Sequence, residues 1–261
     1  MKKKHMAMAV LVFGSMFAGV PAHASLYIYS EGLFVSTPYE LGPTSPGKWG
    51  DPTHGTPATV SWSLMGGGEN CESSTTCSSL SGFMPGGFKA EIQRAFDAWE
   101  GVASLTFIEV TDSGDHFDAA GAQGDIRIGG HSFDGSGGTL AHGYYPPQNG
   151  ISAAGDVHFD IEENWSIGAG IDIFSVALHE IGHAIGLGHS NDPDAVMYPF
   201  YSSPYAGLDE DDINGAVALY GAPAPVPLPA AAWLMLSGLG VLLGVAGRRK
   251  RRDISAPSIA A

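Results

Sequence analysis

Residues 178–190 read LHEIGHAIGLGHS, three histidines and one glutamate in an otherwise apolar, glycine-dotted stretch. Phe174, Ala177, Leu178, Ile181 and Ile185 recur at steps of three and four, which predicts a helix over 172–186 with those residues on its buried side. On that helix His179 and His183 project from one face, a turn apart. This is the spacing at which two imidazoles reach one zinc ion at about 2 Å. Gly186 stands three residues after His183, where a glycine can end the helix and turn the chain sharply. The turn carries His189 back toward the same metal. Three protein ligands leave the fourth tetrahedral position to water, the pattern of a catalytic rather than a structural zinc. Glu180 follows a ligand directly, so its carboxylate can take a proton from that water and deliver it to a leaving amine. A buried segment carrying these four groups for no purpose would suffer their desolvation without partners.

Around this centre the elements alternate. ATVSWSLM (58–65) reads as a strand, and GFKAEIQRAFDAWEGVA as a helix from about Gly87 to Gly101 with Ile92, Phe96, Trp99 and Val102 on one face. LTFIEV (105–110), DIRIGG (125–130), LAHGYY (140–145) and GDVHFDI (155–161) read as strands, and a last helix runs from about Asp209 to Tyr220. The order β-α-β-β-β-β-α-α predicts an α+β fold, a sheet covered by long helices. No internal repeat is visible.

Both ends read as address labels. Residues 1–24 join a lysine cluster, a short apolar run and Ala22-His23-Ala24, the form of a signal peptide with Ser25 as mature start. An N-terminal anchor is the alternative, although the run is short for a span. An extension (25–47), the catalytic body (48–221) and a Pro/Ala-rich linker (222–229) follow. Residues 230–247 are uncharged and long enough to cross a bilayer, and the basic tail 248–261 predicts a cytoplasmic end. Residues 25–247 hold 4 basic and 26 acidic residues, a net −22. Nucleic acid and anionic membrane surfaces are therefore excluded as expected partners of the body. Cys71 and Cys77 are the only cysteines. In an exported chain such a pair most simply closes a local disulfide, and neither has a nearby histidine in sequence to suggest a metal or redox role.

HEIGHAIGLGH matches the H-E-x-x-H-x-x-G-x-x-H signature of metzincin metalloproteases. AVMYP places Met197 where that group has a methionine turn beneath the zinc, and Ser190 after the third histidine resembles the matrixin branch. FDGSGGTLAH (133–142), GDVHFDIEENW (155–165) and LDEDDINGAVALYG (208–221) resemble matrixin segments in the same order, so the resemblance covers roughly Lys48 to Gly221. It implies a zincin-like fold with a twisted mixed sheet of about five strands and an active-site helix followed by a methionine turn. It also implies a structural zinc on His142 and His158. Here the preceding loop is short and offers only His131, so the fourth ligand is unidentified. A calcium ion is implied at Asp134, Asp160 and Glu163, with carbonyls near Gly135, Gly137 and Thr139, in keeping with the preference of calcium for oxygen. Substrate would lie extended against the edge strand TLAHGYY, with an S1′ pocket walled by Pro199, Phe200 and Tyr201. The aromatic run from Tyr198 to Tyr205 reads equally as a packed loop or a substrate contact. No propeptide cysteine switch is expected, because residues 25–49 contain no cysteine.

VPLPAAAWLMLSGLGVLLGVAGRRKRR (226–252) resembles the PEP-CTERM type of sorting tail. The resemblance implies a Gram-negative bacterium, cleavage near the proline motif by an exosortase-type enzyme, and release to the cell surface or extracellular matrix. A permanent single-span anchor is the alternative. The expected whole is an exported, monomeric zinc endopeptidase acting on protein or peptide substrates. The competing reading is a non-catalytic matrix structural or binding protein that keeps the same fold.

Overall fold

The computed structural model describes residue 41 and residues 47–72, 75–117, 119, 123–146 and 153–224. The signal-peptide segment, nearly all of the N-terminal extension, the sorting motif, the apolar span at 230–247 and the basic tail lie outside the described residues. Among the described residues no helix is long and apolar enough to cross a membrane.

Three parallel pairings and one antiparallel pairing build the central sheet. Strand β1 (Ala58–Leu64) lies between β4 (Leu105–Glu109) and β5 (Ile126–His131), parallel to both. β5 then pairs in parallel with β7 (Val157–Asp160), and β6 (Ala141–Gly143) closes the order β4-β1-β5-β7-β6 as an antiparallel edge. Every residue of β5, β6 and β7 is buried, as expected of strands covered on both faces. Two pairs of short strands lie outside that order, β2 (Asn70–Glu72) with β3 (Thr75–Thr76) and β8 (Trp165–Ser166) with β9 (Ile171–Asp172), and a single bridge joins Ser78 to Gly130 of β5. Runs of two or three residues are too short to show an alternation, so they left no periodic signal in the sequence.

Helix α1 (Phe88–Val102) buries Ile92, Ala95, Phe96 and Trp99, while Val102 is only half-buried. Phe96 stacks on Trp62 of β1, and Trp99 donates its indole N–H to the Leu178 carbonyl at 3.0 Å, joining the sheet and two helices through one face. Helix α2 (Ile173–Ala184) differs from the amphipathic expectation, since all of its residues are buried. The physical reason is its position: α1 covers one side, β6 and β7 another, and the methionine turn covers the side that bears the histidines. Asp172 caps it by accepting from Ser175 N at 3.1 Å. Helix α3 (Glu210–Tyr220) begins in a reciprocal capping box between Asp209 and Asp212.

At the far end of β1 and β5 sits a buried charge. Arg127, fully buried, donates from Nε and Nη2 to Asp112 at 2.8 and 2.7 Å, and Asp112 also accepts from Ser63 Oγ at 2.7 Å. Burial pushes the Asp112 carboxyl up, but Arg127, Ser63 and the Gly114 N–H outweigh it and hold it at about 2. Its contribution is therefore present above about pH 4, the ordinary aspartate range, and is lost as pH falls toward 2. Asp112→Ala removes both hydrogen-bond acceptors of the buried guanidinium and leaves Glu69, at 3.6 Å, and Asp156 as its acidic neighbours. Urea unfolding of the full chain at pH 7 should show a loss of about 3 kcal/mol, and a loss under about 1 kcal/mol would mean the pair is solvated.

Candidate metal centre and active site

The last turn of α2 and the chain beyond it bring three imidazoles together. His179 and His183 have ring centroids 4.7 Å apart, and His189 lies 5.3 and 4.8 Å from them. One nitrogen of each ring falls within 4.8 Å of the others. Gly186 makes the return possible in two ways. Its φ of +111° is open to glycine at little cost, and a Cβ there would approach the Gly47 carbonyl oxygen to 2.0 Å. Leu187 N then donates to Gly182 O and Gly186 N to His183 O, both at 2.9 Å, closing the helix end.

Backbone carbonyls settle which nitrogen each ring presents. His179 Nδ1 donates to Val196 O at 2.6 Å, and His183 Nδ1 donates to Leu187 O at 2.8 Å. Because a carbonyl only accepts, each Nδ1 carries the proton and each Nε2 keeps its lone pair. His179 Nε2 is buried without a partner, and His183 Nε2 faces His189 Nε2 at 3.2 Å. Burial first, then neighbouring imidazoles, hold His179 at about 3 and His183 well below its ordinary value, and burial holds His189 at about 4. Neutral imidazoles with converging lone pairs are the donor set that zinc requires, so these residues fit the ion.

Glu180 is fully buried, and neither carboxylate oxygen has a hydrogen-bond partner. Burial pushes its carboxyl well above the usual range. Met197 packs against α2 at Gly182. Gly182 permits this approach, because a Cβ there would meet Met197 Sδ at 2.3 Å. Asp212 anchors the turn by accepting from Val196 N at 2.8 Å and Met197 N at 3.0 Å. Ser190 ties the same loop to α3, donating from Oγ to Asp211 at 2.6 Å. Local sequence gives Asp211 and Asp212 only the character of an acidic first turn of α3, and their bonds to Ser190 and the methionine turn come from packing.

A cavity beside His179 is lined by Ser175, Val176, Tyr198, Tyr201 and Tyr205. Of the three wall residues expected from the sequence, Tyr201 lines it and Pro199 and Phe200 do not. Tyr201 is held there by its hydroxyl, which donates to Gly170 O at 2.7 Å and accepts from Asp172 N. Phe200 turns outward, 39% exposed, and packs against Tyr198. Tyr198 and Tyr205, the two ends of the aromatic run, line the cavity together with Tyr201.

His131, His142 and His158 also converge, with Glu72 as a fourth member of their cluster. Burial first, then His131, hold His142 at about 3, and burial with neighbouring charges holds His158 well below its ordinary value. Cys71 and Cys77 lie near His158 but are joined in a disulfide with Cα atoms 5.1 Å apart, so neither offers a thiolate. The expected calcium residues sit around one loop. Asp134 accepts from Thr139 N at 3.0 Å, and Glu163 accepts from Gly137 N at 2.6 Å. Asp160 Oδ2 and Glu163 Oε2 are buried without partners, and Gly135 and Gly137 both have φ of +87°. No cluster of converging ligand atoms among the described residues contains Asp134, Asp160 or Glu163.

The tautomers can be read directly. Long-range ¹H–¹⁵N spectra of the full chain at pH 5 should show His179 and His183 neutral with the proton on Nδ1, where an ordinary histidine is protonated below about 6.5. Protonation near that value would mean the site is open to solvent.

The matrixin family profile matches residues 81–221. Karilysin of Tannerella forsythia is 43% identical over 147 residues, 53% of this chain and 29% of its own length. Human matrix metalloproteinase-16 is 44% identical over 153 residues, 53% of this chain and 24% of its own. Human matrix metalloproteinase-20 is 35% identical over 188 residues, 65% and 36% of the two chains. The matched region is thus well under half the length of these relatives.

Proposed function

Because the chain belongs to the matrixin family, we propose that it is a zinc-dependent endopeptidase that hydrolyses peptide bonds of extended protein substrates. The observation that carries this reading is the meeting of three neutral imidazoles beside a buried glutamate with both oxygens unpartnered. Zinc held by His179, His183 and His189 would polarise the scissile carbonyl and lower the pKa of water to about 7. Glu180 accepts the proton of the attacking water. As the C–N bond breaks, the same carboxyl donates that proton to the leaving amine. Burial favours its protonated form, which suits the second step. Met197 and Gly186 act through the histidines, one from below and one by turning the chain.

Substrate binding has two supports. β6 is the sheet edge and packs tightly on α2, where a Cβ on Gly143 would meet Glu180 O at 2.7 Å. An extended peptide pairing with that edge would place its carbonyl over the centre. The cavity beside His179 then receives one side chain, and Val176 with three tyrosines suits an apolar one. Calcium at Asp134, Asp160 and Glu163 and a second zinc on His131, His142 and His158 stay in this reading as stabilising ions. So do the boundaries 48–221 for a monomeric peptidase domain, export by the N-terminal segment, and a transient inner-membrane anchor. Cleavage near the proline motif by an exosortase-type enzyme would release the protein to the surface or matrix of a Gram-negative cell.

Glu180→Ala in the full chain should lower casein hydrolysis by about 10²–10⁴-fold while zinc content is unchanged. Undiminished hydrolysis with zinc still bound would exclude Glu180 as the base. Zinc binding without turnover in the parent protein would favour the matrix structural role instead. For the tail, intact-mass measurement of the mature protein should find no residues beyond about Pro229, and a full-length C-terminus would show a permanent anchor.

A further inference from the structure

Outside the catalytic centre, the feature with most unspent chemistry is the hairpin β2–β3. It is a small appendage with several ties. The Cys71–Cys77 disulfide closes it, Cys77 N donates to Glu69 O at 2.7 Å, and Gly68 N donates to Cys77 O at 3.0 Å. Directly after it, Ser78 pairs with Gly130, donating at 2.7 Å and accepting at 3.2 Å. The hairpin thus continues alongside β5 beyond the end of β1. Gly129 allows it to lie close, since a Cβ there would meet Cys77 Sγ at 2.7 Å.

This placement carries one carboxylate to the three histidines. Glu72 Oε2 lies 3.6 Å from His131 Nε2, and its side chain is 25% exposed. The Nε2 atoms of His131 and His158 are buried with no hydrogen-bond partner. His142 Nε2 faces His158 Nδ1 at 2.8 Å, and one ligand atom from each of the four residues lies within 4.8 Å of the rest. Two orphaned buried ring nitrogens, one of them facing a carboxylate, are costly as they stand and can serve as ligands when a cation is bound in the cluster.

We propose that Glu72 is the fourth ligand of a closed zinc site completed by His131, His142 and His158, and that the disulfide-closed hairpin exists to hold it there. The proposal rests on the second-zinc reading above. Three imidazole nitrogens and one carboxylate oxygen fill a tetrahedral shell without an open position, which is a structural and not a catalytic site. The site joins β5, β6 and β7 to a segment more than fifty residues away from His131 in sequence, so zinc there pins the hairpin to the sheet.

The test uses the full chain carrying Glu180→Ala, to prevent self-cleavage, and inorganic zinc as the probe. After dialysis, metal analysis should find two zinc ions per chain, and His158→Ala should retain one. Glu72→Ala, and the nearly isosteric Glu72→Gln, should bind the second zinc about tenfold or more weakly in competition with a chromophoric chelator, with an unchanged circular dichroism spectrum when zinc is saturating. If Glu72→Ala and Glu72→Gln keep parental affinity while His158→Ala loses the ion, the site exists but Glu72 is not its ligand. If the parent binds a single zinc, the second site itself is absent.

Discussion

Two backbone carbonyls decide the chemistry of the centre. Val196 O and Leu187 O accept hydrogen bonds from the Nδ1–H groups of His179 and His183, which leaves both Nε2 lone pairs free to converge. Each carbonyl belongs to a turn that would not exist without a particular residue elsewhere. The Leu187 carbonyl depends on Gly186, whose positive φ and lack of Cβ let the chain pass under Gly47. The Val196 carbonyl depends on Asp212, which accepts from two successive backbone N–H groups of the methionine turn. Disturbing either turn therefore costs the site its metal geometry before any ligand is altered.

The same arrangement explains why an entire helix is buried in a small domain. α2 carries three groups that water would otherwise solvate: two imidazoles and a carboxylate. Packing by α1, the β6–β7 edge and the methionine turn removes that water. Burial then keeps the histidines neutral and the Glu180 carboxyl raised, the states that suit metal ligation and proton transfer. Excluding solvent and tuning the side chains are one structural act here.

A second theme is the use of small appendages to supply single groups. The β2–β3 hairpin brings Glu72 to the histidines of β5, β6 and β7. The β8–β9 pair leads into α2 and ends in Asp172, its cap, whose N–H also fixes the Tyr201 hydroxyl at the cavity. Each appendage is anchored by buried apolar groups, Trp165 in one and the Cys71–Cys77 disulfide in the other, and each holds one polar group in register with a rigid element.

Much of this was legible in the chain. The helices, the five sheet strands and the cluster of His179, Glu180, His183, Gly186 and His189 follow from local periodicity and spacing, because a helix repeats every turn and a glycine marks where it can break. What lacked a local signal was every contact between distant segments. Glu72 is remote from His131 in sequence, Asp212 reaches back to Met197 only through the packing of α3, and Ser175 and Val176 of α2 meet the tyrosines of a separate loop around one cavity. The full burial of α2, too, came from its neighbours and not from its own pattern. Sequence by itself determined which groups could bind metal and move protons, since spacing along one helix is a covalent matter. Tertiary structure alone decided which other groups join them, since that depends on how separate elements bury one another.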